Sequence, residues 1–590
     1  MSAATLTREP ERPTRPARRP RLRIGRPFET ASLGVGLVLI ALVMIPLLRV
    51  VVGLFWADGE LTMRPITRTL ALPGLGELLL NTVVVVVASS AVAWVIGVGL
   101  AWLNERTNVR MGLLTDSLPL LPFLLPPVAG AVGWVMLLSP RAGLLNSWIR
   151  DILSLFGINL QTGPFDIHSW YGLILVYAVY AVPFVFMTAA AGLRNLDSSL
   201  EEASRLSGAS MFRTLRKVTL PLVAPSLGAG VLLSVWFGAG MFSLPSIVGT
   251  PAGIDVLSVR IVELLTFTYP PDTELAVGLS AFVVAFVGLA YWLQARILRR
   301  GRHAVATGKG GGVRRIDLGA WRWPMRLLVL GYVFVSTVLP LMALVLVSLN
   351  GFWTPDIGWG SLSLDALRQS VFDDPLTSQA LGNSLGLGVV GGLIGILAAA
   401  AVSLYVARRR TVLAGAVDAG IKLPAAVSNM VIAVGILLVF GGGPFMLSGT
   451  LTILLIGYLA LYLPQASIAA DAAVSGVGDE LPEASAVAGA TPFRTFRKVH
   501  LPLMLPGLVA GWALLFIRMV GDLTASAILA GTGNSVVGFR ILEVFTSGSY
   551  ALLASLSTVL VLVTGTVLAA VLAYTRRASR YAGPTRVGGV

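Results

Sequence analysis

The chain has 590 residues, of which 55% are hydrophobic and only 12% are charged, and its formal net charge is +15. Soluble globular proteins carry about 25% charged residues, so this composition excludes an ordinary soluble fold and predicts an integral membrane protein. The positive charge is spread over many loops rather than clustered on one element, which argues against a nucleic-acid-binding protein.

The N-terminal segment, residues 1–30, contains eight arginines and several prolines but no apolar core. This composition predicts a disordered cytoplasmic tail. The apolar run that follows is too long for a signal peptide and has no small-residue cleavage site after it, so we expect it to remain as the first span.

The hydrophobic pattern predicts about twelve transmembrane helices, because apolar runs of about 20 residues recur along the chain and that length crosses about 30 Å of hydrocarbon. The runs lie near residues 32–56, 82–103, 117–138, 170–193, 221–247, 275–295, 327–349, 384–406, 417–440, 450–470, 502–530 and 551–575. An even number of spans places both termini on one side. That side is predicted to be the cytoplasm, since this orientation leaves most Lys and Arg residues in inner loops.

The spans are predicted to form two tandem halves in the same orientation, which gives an all-α membrane protein with two parallel six-helix domains. The first domain covers residues 31–298 and the second covers residues 326–578. A Gly- and Arg-rich cytoplasmic linker covers residues 299–325, and residues 579–590 form a C-terminal tail. Matching positions in the two halves support the duplication: Asn81 and Asn383, Asp116 and Asp418, Pro122 and Pro424.

The clearest repeat is a polar loop between the fourth and fifth span of each half. "LEEASRLSGASMFRTLRKVTLPLVAPSL" begins at Leu200 and "LPEASAVAGATPFRTFRKVHLPLMLPGL" begins at Leu481, and 17 of the 28 positions match. Chance pairing would give about two matches, so the loop is a true duplication.

Each copy of the loop is predicted to form two short helices with a sharp bend between them. A capping box of Ser198 and Glu201 starts the first helix of one copy, and Asp479 is the candidate cap of the other. Gly208 and Gly489 end these helices in the left-handed conformation. The second helices start at Ser210 and Thr491, and the next spans open with prolines, which lack an N–H that the first turn does not need. These prolines are Pro221 and Pro502.

Amphipathic helices that only anchor the chain to the membrane are the simpler interpretation of one such loop. Two copies favour docking onto another protein, because they retain Glu, Ala and the bend glycine at fixed spacing. These residues are Glu202, Ala203 and Gly208 in the first copy and Glu483, Ala484 and Gly489 in the second.

This pattern, followed by Leu-Pro, resembles the EAA loop in permease subunits of binding-protein-dependent (type I) ATP-binding-cassette importers. The third letter differs, since Ser204 and Ser485 stand where the consensus has Ala. The resemblance covers nearly the whole chain and implies that each loop docks on a cytoplasmic ATPase subunit. It implies three partners besides the membrane lipid: two copies of that ATPase and one extracytoplasmic solute-binding protein.

The chain lacks a P-loop of its own. The nearest stretch, Gly308-Lys309, has His303 at the first glycine position and Gly310 after the lysine. We therefore expect a transport subunit that is not an enzyme and that binds no cofactor, with ATP used by partner subunits. With no cysteine and three scattered histidines, the sequence predicts no metal site.

Polar residues inside spans are candidates for the translocation path. Arg518 and Asp522 lie four residues apart and are predicted to share one helix face, either as a structural ion pair or as substrate contacts. The first half has Phe237 and Met241 at the matching positions.

A further repeat follows the fifth span of each half. Arg260 with Glu263, and Arg540 with Glu543, are predicted to lie near the outer face. They are interpreted either as structural ion pairs or as the platform for the binding protein.

Residues 249–265, 270–272 and 521–548 resemble the fused permeases of ferric-iron importers, which makes ferric iron the expected solute. Importers of thiamine, aminoethylphosphonate and polyamines have related permeases, and these solutes remain alternatives. A secondary transporter of the major-facilitator type also has twelve spans in two parallel halves, but the twin loops and the scarcity of acidic residues within spans argue against it. A membrane enzyme and an exporter are still weaker alternatives.

Overall fold

The computed structural model describes residues 26–57, 59–111, 118–300, 315–360, 362–409, 411–477, 480–531 and 533–581. Most of both predicted tails, the middle of the predicted linker, Asp116 and Asp479 lie outside these residues. Within the described ranges the chain is almost entirely helical, as predicted. The one sheet in this part of the chain is an antiparallel pair, β1 (Trp56–Ala57) and β2 (Glu60–Leu61).

The first half contains eleven described α-helices. They are α1 (Arg26–Gly53), α2 (Arg64–Leu70), α3 (Leu75–Arg106), α4 (Pro127–Leu138), α5 (Leu144–Leu155), α6 (Trp170–Arg194), α7 (Ser198–Leu206), α8 (Met211–Thr214), α9 (Leu220–Gly240), α10 (Leu257–Val262) and α11 (Thr273–Arg300). Because α1 begins at Arg26, the last residues of the predicted disordered tail are helical.

The second half repeats this order with thirteen described α-helices. They are α12 (Arg322–Val333), α13 (Leu339–Asn350), α14 (Leu364–Arg368), α15 (Pro375–Arg408), α16 (Val412–Lys422), α17 (Asn429–Ile436), α18 (Leu451–Ser475), α19 (Glu480–Val487), α20 (Pro492–Thr495), α21 (Leu501–Val520), α22 (Thr524–Leu529), α23 (Val537–Thr546) and α24 (Tyr550–Tyr581).

Ten helical segments of the described chain are long and apolar enough to cross a membrane, or up to eleven if one bent pair counts as a span. This number is close to the predicted count of about twelve, and the difference lies in the third span of each half, which is interrupted. In the first half, residues 117–138 give a 3₁₀ segment (Leu118–Leu124) and the short helix α4. In the second half, the chain bends by 104° between the segments Val412–Ala426 and Asn429–Gly441.

Proline explains the break in the first half. The stretch "LPLLPFLLPP" ends with Pro126 and Pro127, and Pro127 is the first residue of α4. Each proline removes a backbone donor and pushes the residue before it out of the helical region, so a continuous helix cannot pass through this stretch. Hydropathy alone does not register this effect, since every residue here is apolar.

The first span of each half packs against the other half. α1 contacts α15, α16 and α17, while α13 contacts α4. A Cβ on Gly133 would lie 2.6 Å from the backbone oxygen of Pro340, and a Cβ on Gly435 would lie 2.6 Å from the backbone oxygen of Pro46. Small residues at these crossings let the helix backbones touch, and the two crossings are equivalent.

Candidate functional site

Both copies of the duplicated loop have the predicted bend. Gly208 has φ +82° and Gly489 has φ +78°, which is the left-handed region. The N–H of the residue after each glycine returns to the helix that the glycine ends. The backbone N–H of Ala209 donates to the backbone carbonyl oxygen of Ser204 at 3.1 Å, and that of Ala490 donates to the backbone carbonyl oxygen of Ser485 at 3.1 Å. This closing bond is typical of a Schellman helix end, so glycine fixes the same bend twice.

The two serines that depart from the family consensus hold the bend together. The hydroxyls of Ser204 and Thr214 lie 3.0 Å apart, and those of Ser485 and Thr495 lie 2.9 Å apart. Each bond joins the first short helix of a loop to the second. An alanine at this position could not make this bond. The serine found here instead of the consensus alanine therefore stabilises the bend.

The caps agree with the sequence at two of the three positions where they can be compared. Ser210 accepts the Arg213 N–H and Thr491 accepts the Arg494 N–H, both at 3.4 Å. The predicted capping box of Ser198 and Glu201 is wrong. Asp197 caps α7 by accepting the Ser199 N–H at 2.9 Å, and this backbone bond holds the pKa of the Asp197 carboxyl below its ordinary value.

Proline opens the next span in each half, as predicted. Pro221 lies in the first turn of α9 and Pro502 lies in the first turn of α21. A single π-helical turn, Leu215–Thr219 or Phe496–His500, connects each loop directly to that span. The second helix of each loop is therefore continuous with a membrane-spanning helix, so a force on the loop acts on the span.

The tip of each loop exposes an apolar side chain at equivalent positions. Leu206 is 89% exposed and Val487 is 87% exposed. Glu202 is partly buried, Ala203 and Ala484 are exposed, and Glu483 lies in α19. The two loops thus present an apolar side chain at the same place beside the bend.

Glu201 has a role that sequence reasoning missed. Its carboxylate accepts a hydrogen bond from Thr219 at 2.6 Å and lies 3.6 Å from the guanidinium of Arg106, which is 1% exposed. Arg106 also donates to the backbone oxygens of Leu193 and Leu196, at 2.8 and 3.0 Å. These contacts, called here the Arg106 clamp, fasten the first loop to the ends of α3 and α6.

The second loop has a different sequence at the clamp positions. Pro482 and His500 stand where the first loop has Glu201 and Thr219. The two loops therefore share their bend but differ in how they are fastened to the helices around them. The sequence of the first loop does not indicate that Glu201 contacts Arg106, because Arg106 lies 95 positions earlier in the chain.

The predicted pair of Arg518 and Asp522 is wrong as a helical pair. α21 ends at Val520, with Gly521 after it, so Asp522 is not one turn further along the same helix. Both residues are described, and no ion pair joins them. Asp522 instead accepts hydrogen bonds from Tyr462 at 2.8 Å and from the backbone N–H groups of Ala525 and Ser526 at 2.8 and 3.2 Å.

Arg518 lies against an aromatic cluster that belongs to the first half. Its guanidinium is 4.8 Å from the ring centre of Phe123. Phe123 packs edge-on against Phe184 at 4.7 Å, and Phe184 contacts Phe237 at 5.1 Å. Phe237 occupies the position equivalent to Arg518, so both halves contribute the same helix position to one cluster.

Further contacts place this cluster at the boundary between the halves. Trp236 donates to the backbone oxygen of Val427 at 3.0 Å. A Cβ on Gly240 would meet Ser428, and a Cβ on Gly521 would meet Pro126. The fifth span of each half thus lies against the broken third span of the other.

A charge at membrane depth costs about 2.5–3.5 kcal/mol on insertion scales. A cation over an aromatic ring returns about 0.5–2 kcal/mol. The contact with Phe123 offsets only part of the cost of Arg518. A role of Arg518 in the translocation path stays a prediction.

At the far end of the fifth spans, the repeated Arg-Glu pairs are present. Arg260 and Glu263 lie 3.0 Å apart, and Arg540 and Glu543 lie 3.3 Å apart. Arg540 also contacts Asp374 at 3.0 Å, which ties α23 to the start of α15. Burial would raise the pKa of Asp374, but its hydrogen bonds with Thr377 and Arg540 outweigh burial and lower it. The pairs are structural ion pairs; a platform for a binding protein stays a prediction.

Comparison with known proteins gives a consistent pattern. A family model described as "Binding-protein-dependent transport system inner membrane component" matches residues 93–303 and again 391–580. The Fe(3+)-transport system permease protein FbpB 2 of Haemophilus influenzae is 24% identical over 85% of this chain and 91% of its own length.

Two further relatives differ in how much of the chain they cover. The ferric transport system permease protein FbpB of Actinobacillus pleuropneumoniae is 22% identical over 90% of this chain and 76% of its own length. The sulfate transport system permease protein CysT of Salmonella typhimurium is 28% identical over 46% of this chain and 95% of its own length. The ferric relatives thus align with both halves, and the sulfate relative has the length of one half.

Proposed function

The chain belongs to the family of binding-protein-dependent transport system inner membrane components, with two copies of the domain fused in one protein, and we propose that its twin loops couple it to separate ATPase subunits. The single observation that carries this proposal is the duplicated bend, with φ +82° at Gly208 and φ +78° at Gly489. Two equivalent docking shapes suit two copies of one ATPase. ATP hydrolysis then belongs to those partners.

The proposed motion follows from the way the loops connect to the spans. Each loop continues through one π-helical turn into α9 or α21, and these helices reach the boundary between the halves. Closure of the two ATPases would draw the loops together and rock one half against the other. The path would then open alternately to each side of the membrane.

The orientation and the outer partner are part of the same proposal. The two loops carry cations at equivalent positions, which favours a cytoplasmic position. These are Arg213, Arg216 and Lys217 in the first copy and Arg494, Arg497 and Lys498 in the second. The termini would share that side. The opposite end, which carries the ion pairs of Arg260 and Arg540, would receive a solute-binding protein.

Ferric iron is the proposed solute. Its support is that two permeases named for ferric transport align with 85% and 90% of this chain, whereas the sulfate relative aligns with 46%. The described residues contain no cluster of three or more His, Asp or Glu side chains that could hold a metal ion. A transport path needs only weak contacts, so this arrangement is compatible with a delivered solute. Thiamine, aminoethylphosphonate and polyamines are the alternatives from sequence.

The experiment is uptake in bacterial cells that lack their own ferric importer. Cells that produce this chain with its ATPase and its binding protein are expected to accumulate radioactive ferric iron at least tenfold above cells without the chain. An ATPase variant that binds but cannot hydrolyse ATP is the control and should give no uptake. Accumulation of thiamine or spermidine without iron would reject iron as the solute, and uptake that survives the ATPase variant would favour a secondary transporter.

A further inference from the structure

The guanidinium of Arg518 has no anionic partner among the residues that the structure describes. Its contact there is the ring of Phe123, which offers a π-face and no negative charge. Arg518 is only partly buried, although its neighbours Ile517 and Met519 are buried. Its side chain is therefore partly accessible at the boundary between the halves.

Asp522 is the nearest acidic residue in sequence, and its carboxylate is already used. One oxygen accepts the Tyr462 hydroxyl and the other accepts the N–H groups at the start of α22. These three donors stabilise Asp522 as the cap of that short helix. The carboxylate is thus bound to the protein framework instead of pairing with Arg518.

Apart from the carboxylate of Asp522, which attracts Arg518 without forming an ion pair, the walls around Arg518 supply no charge. The segments that meet at the boundary between the halves are residues 118–138, 220–249, 423–441 and 501–520. Their sequences contain a single charged residue, Arg518. In surroundings of low dielectric constant, a positive charge without an ion-pair partner attracts anions and repels cations.

We propose that Arg518 binds the transported solute through a negatively charged oxygen, so that the solute crosses the boundary between the halves as an anion. The proposal rests on the translocation path proposed above. A guanidinium presents a planar fork that suits carboxylates and oxyanions. Ferric iron would then pass Arg518 as a complex with net negative charge, such as a citrate complex. A free oxyanion such as sulfate has the same recognition chemistry.

The absence of cysteine from the chain allows a direct test. A Phe237→Cys variant places one thiol in the aromatic cluster beside Arg518. Its rate of modification is measured in membranes with a sulfonate-bearing and with an ammonium-bearing thiosulfonate reagent of similar size, with and without ATP. For each thiol, the rate with the anionic reagent is divided by the rate with the cationic reagent. We expect this ratio to be at least tenfold higher for the Phe237→Cys variant than for a free thiol in solution.

Removing the charge of Arg518 tests whether the preference for the anionic reagent is electrostatic or reflects only how easily each reagent reaches the thiol. Adding Arg518→Gln is expected to remove the preference for the anionic reagent, and adding Arg518→Lys should keep most of it. Arg260→Gln, which neutralises an arginine at the far end of the spans, is the matched control and should leave the preference unchanged. An unchanged preference in the Arg518→Gln background would overturn the proposal.

Protection of the same thiol identifies the source of the anion. Ferric citrate, sulfate and spermidine are each tested at increasing concentration. Protection by ferric citrate supports a complexed metal and protection by sulfate supports a free oxyanion. Protection by spermidine alone would contradict the proposal, as would a thiol that reacts with neither reagent in any state. If the Arg518 proposal fails in this way but the ATPase still co-purifies with the chain, the proposal that the chain is an importer permease is unaffected.

Discussion

Replacing Gly208 and Gly489 together with valine is expected to reduce ATP-driven uptake to background, at least a tenfold loss. Both glycines have positive φ, a region in which a β-branched residue is a severe outlier. The strain costs about 1–3 kcal/mol at each site. No atom lies within 4 Å of a Cβ built on either glycine, so the effect comes from the backbone and not from a clash. The measurement is solute uptake, with co-purification of the ATPase as a second readout.

Two controls separate the bend from general damage. Asparagine tolerates the left-handed region better than other residues, so the double Asn variant should keep a substantial part of the uptake. Gly157 has φ +78° with no atom within 4 Å and lies far in sequence from either loop, so Gly157→Val imposes the same strain elsewhere. Normal uptake by the double valine variant would show that the bend is not needed.

Replacing Glu201 with leucine is expected to destabilise the protein more than any other single change in the first loop. The substitution removes the carboxylate that forms the ion pair with the guanidinium of Arg106, which is 1% exposed, and leaves only the weaker influence of Glu105 and Asp197. Breaking a buried ion pair on one side costs about 3–5 kcal/mol. The thermal unfolding midpoint in detergent should fall by several degrees, and uptake should fall with it.

The double variant Arg106→Met with Glu201→Leu isolates the interaction in the clamp. If the two charges stabilise each other, the double variant loses less stability than the sum of the two single losses. Glu202→Leu is the matched control for the unfolding midpoint only, because Glu202 is next in sequence and lies outside the clamp but belongs to the proposed docking loop. Additive losses from the two clamp variants would show that Arg106 and Glu201 act independently.

The features predicted correctly from sequence are those set by local bonding. The bends at Gly208 and Gly489 need only a glycine and carbonyls within five residues, so the pattern of the loop determines them. The helices that follow Ser210 and Thr491 also start from a local cap. The duplication strengthened these predictions, because the same local rule had to hold twice.

The features predicted wrongly depend on contacts far apart in sequence or on the backbone. Hydropathy predicted a third span at residues 117–138 because it measures apolarity and not backbone donors, which Pro126 and Pro127 lack. Helical spacing paired Arg518 with Asp522, but Gly521 ends the helix between them. The actual neighbour of Arg518 is Phe123, which lies 395 positions earlier, and no periodicity in the sequence connects these two residues.

The central claim is that two equivalent loops receive two ATPase subunits. Leu206→Cys and Val487→Cys each add a single thiol to a chain that has none, at side chains that are 89% and 87% exposed. In membranes that contain the assembled importer, each variant treated with a short thiol-to-amine cross-linker should form a covalent product with the ATPase. Thiols that yield no such product at either position, or that react with a membrane-impermeant reagent added from outside intact cells, would contradict the account.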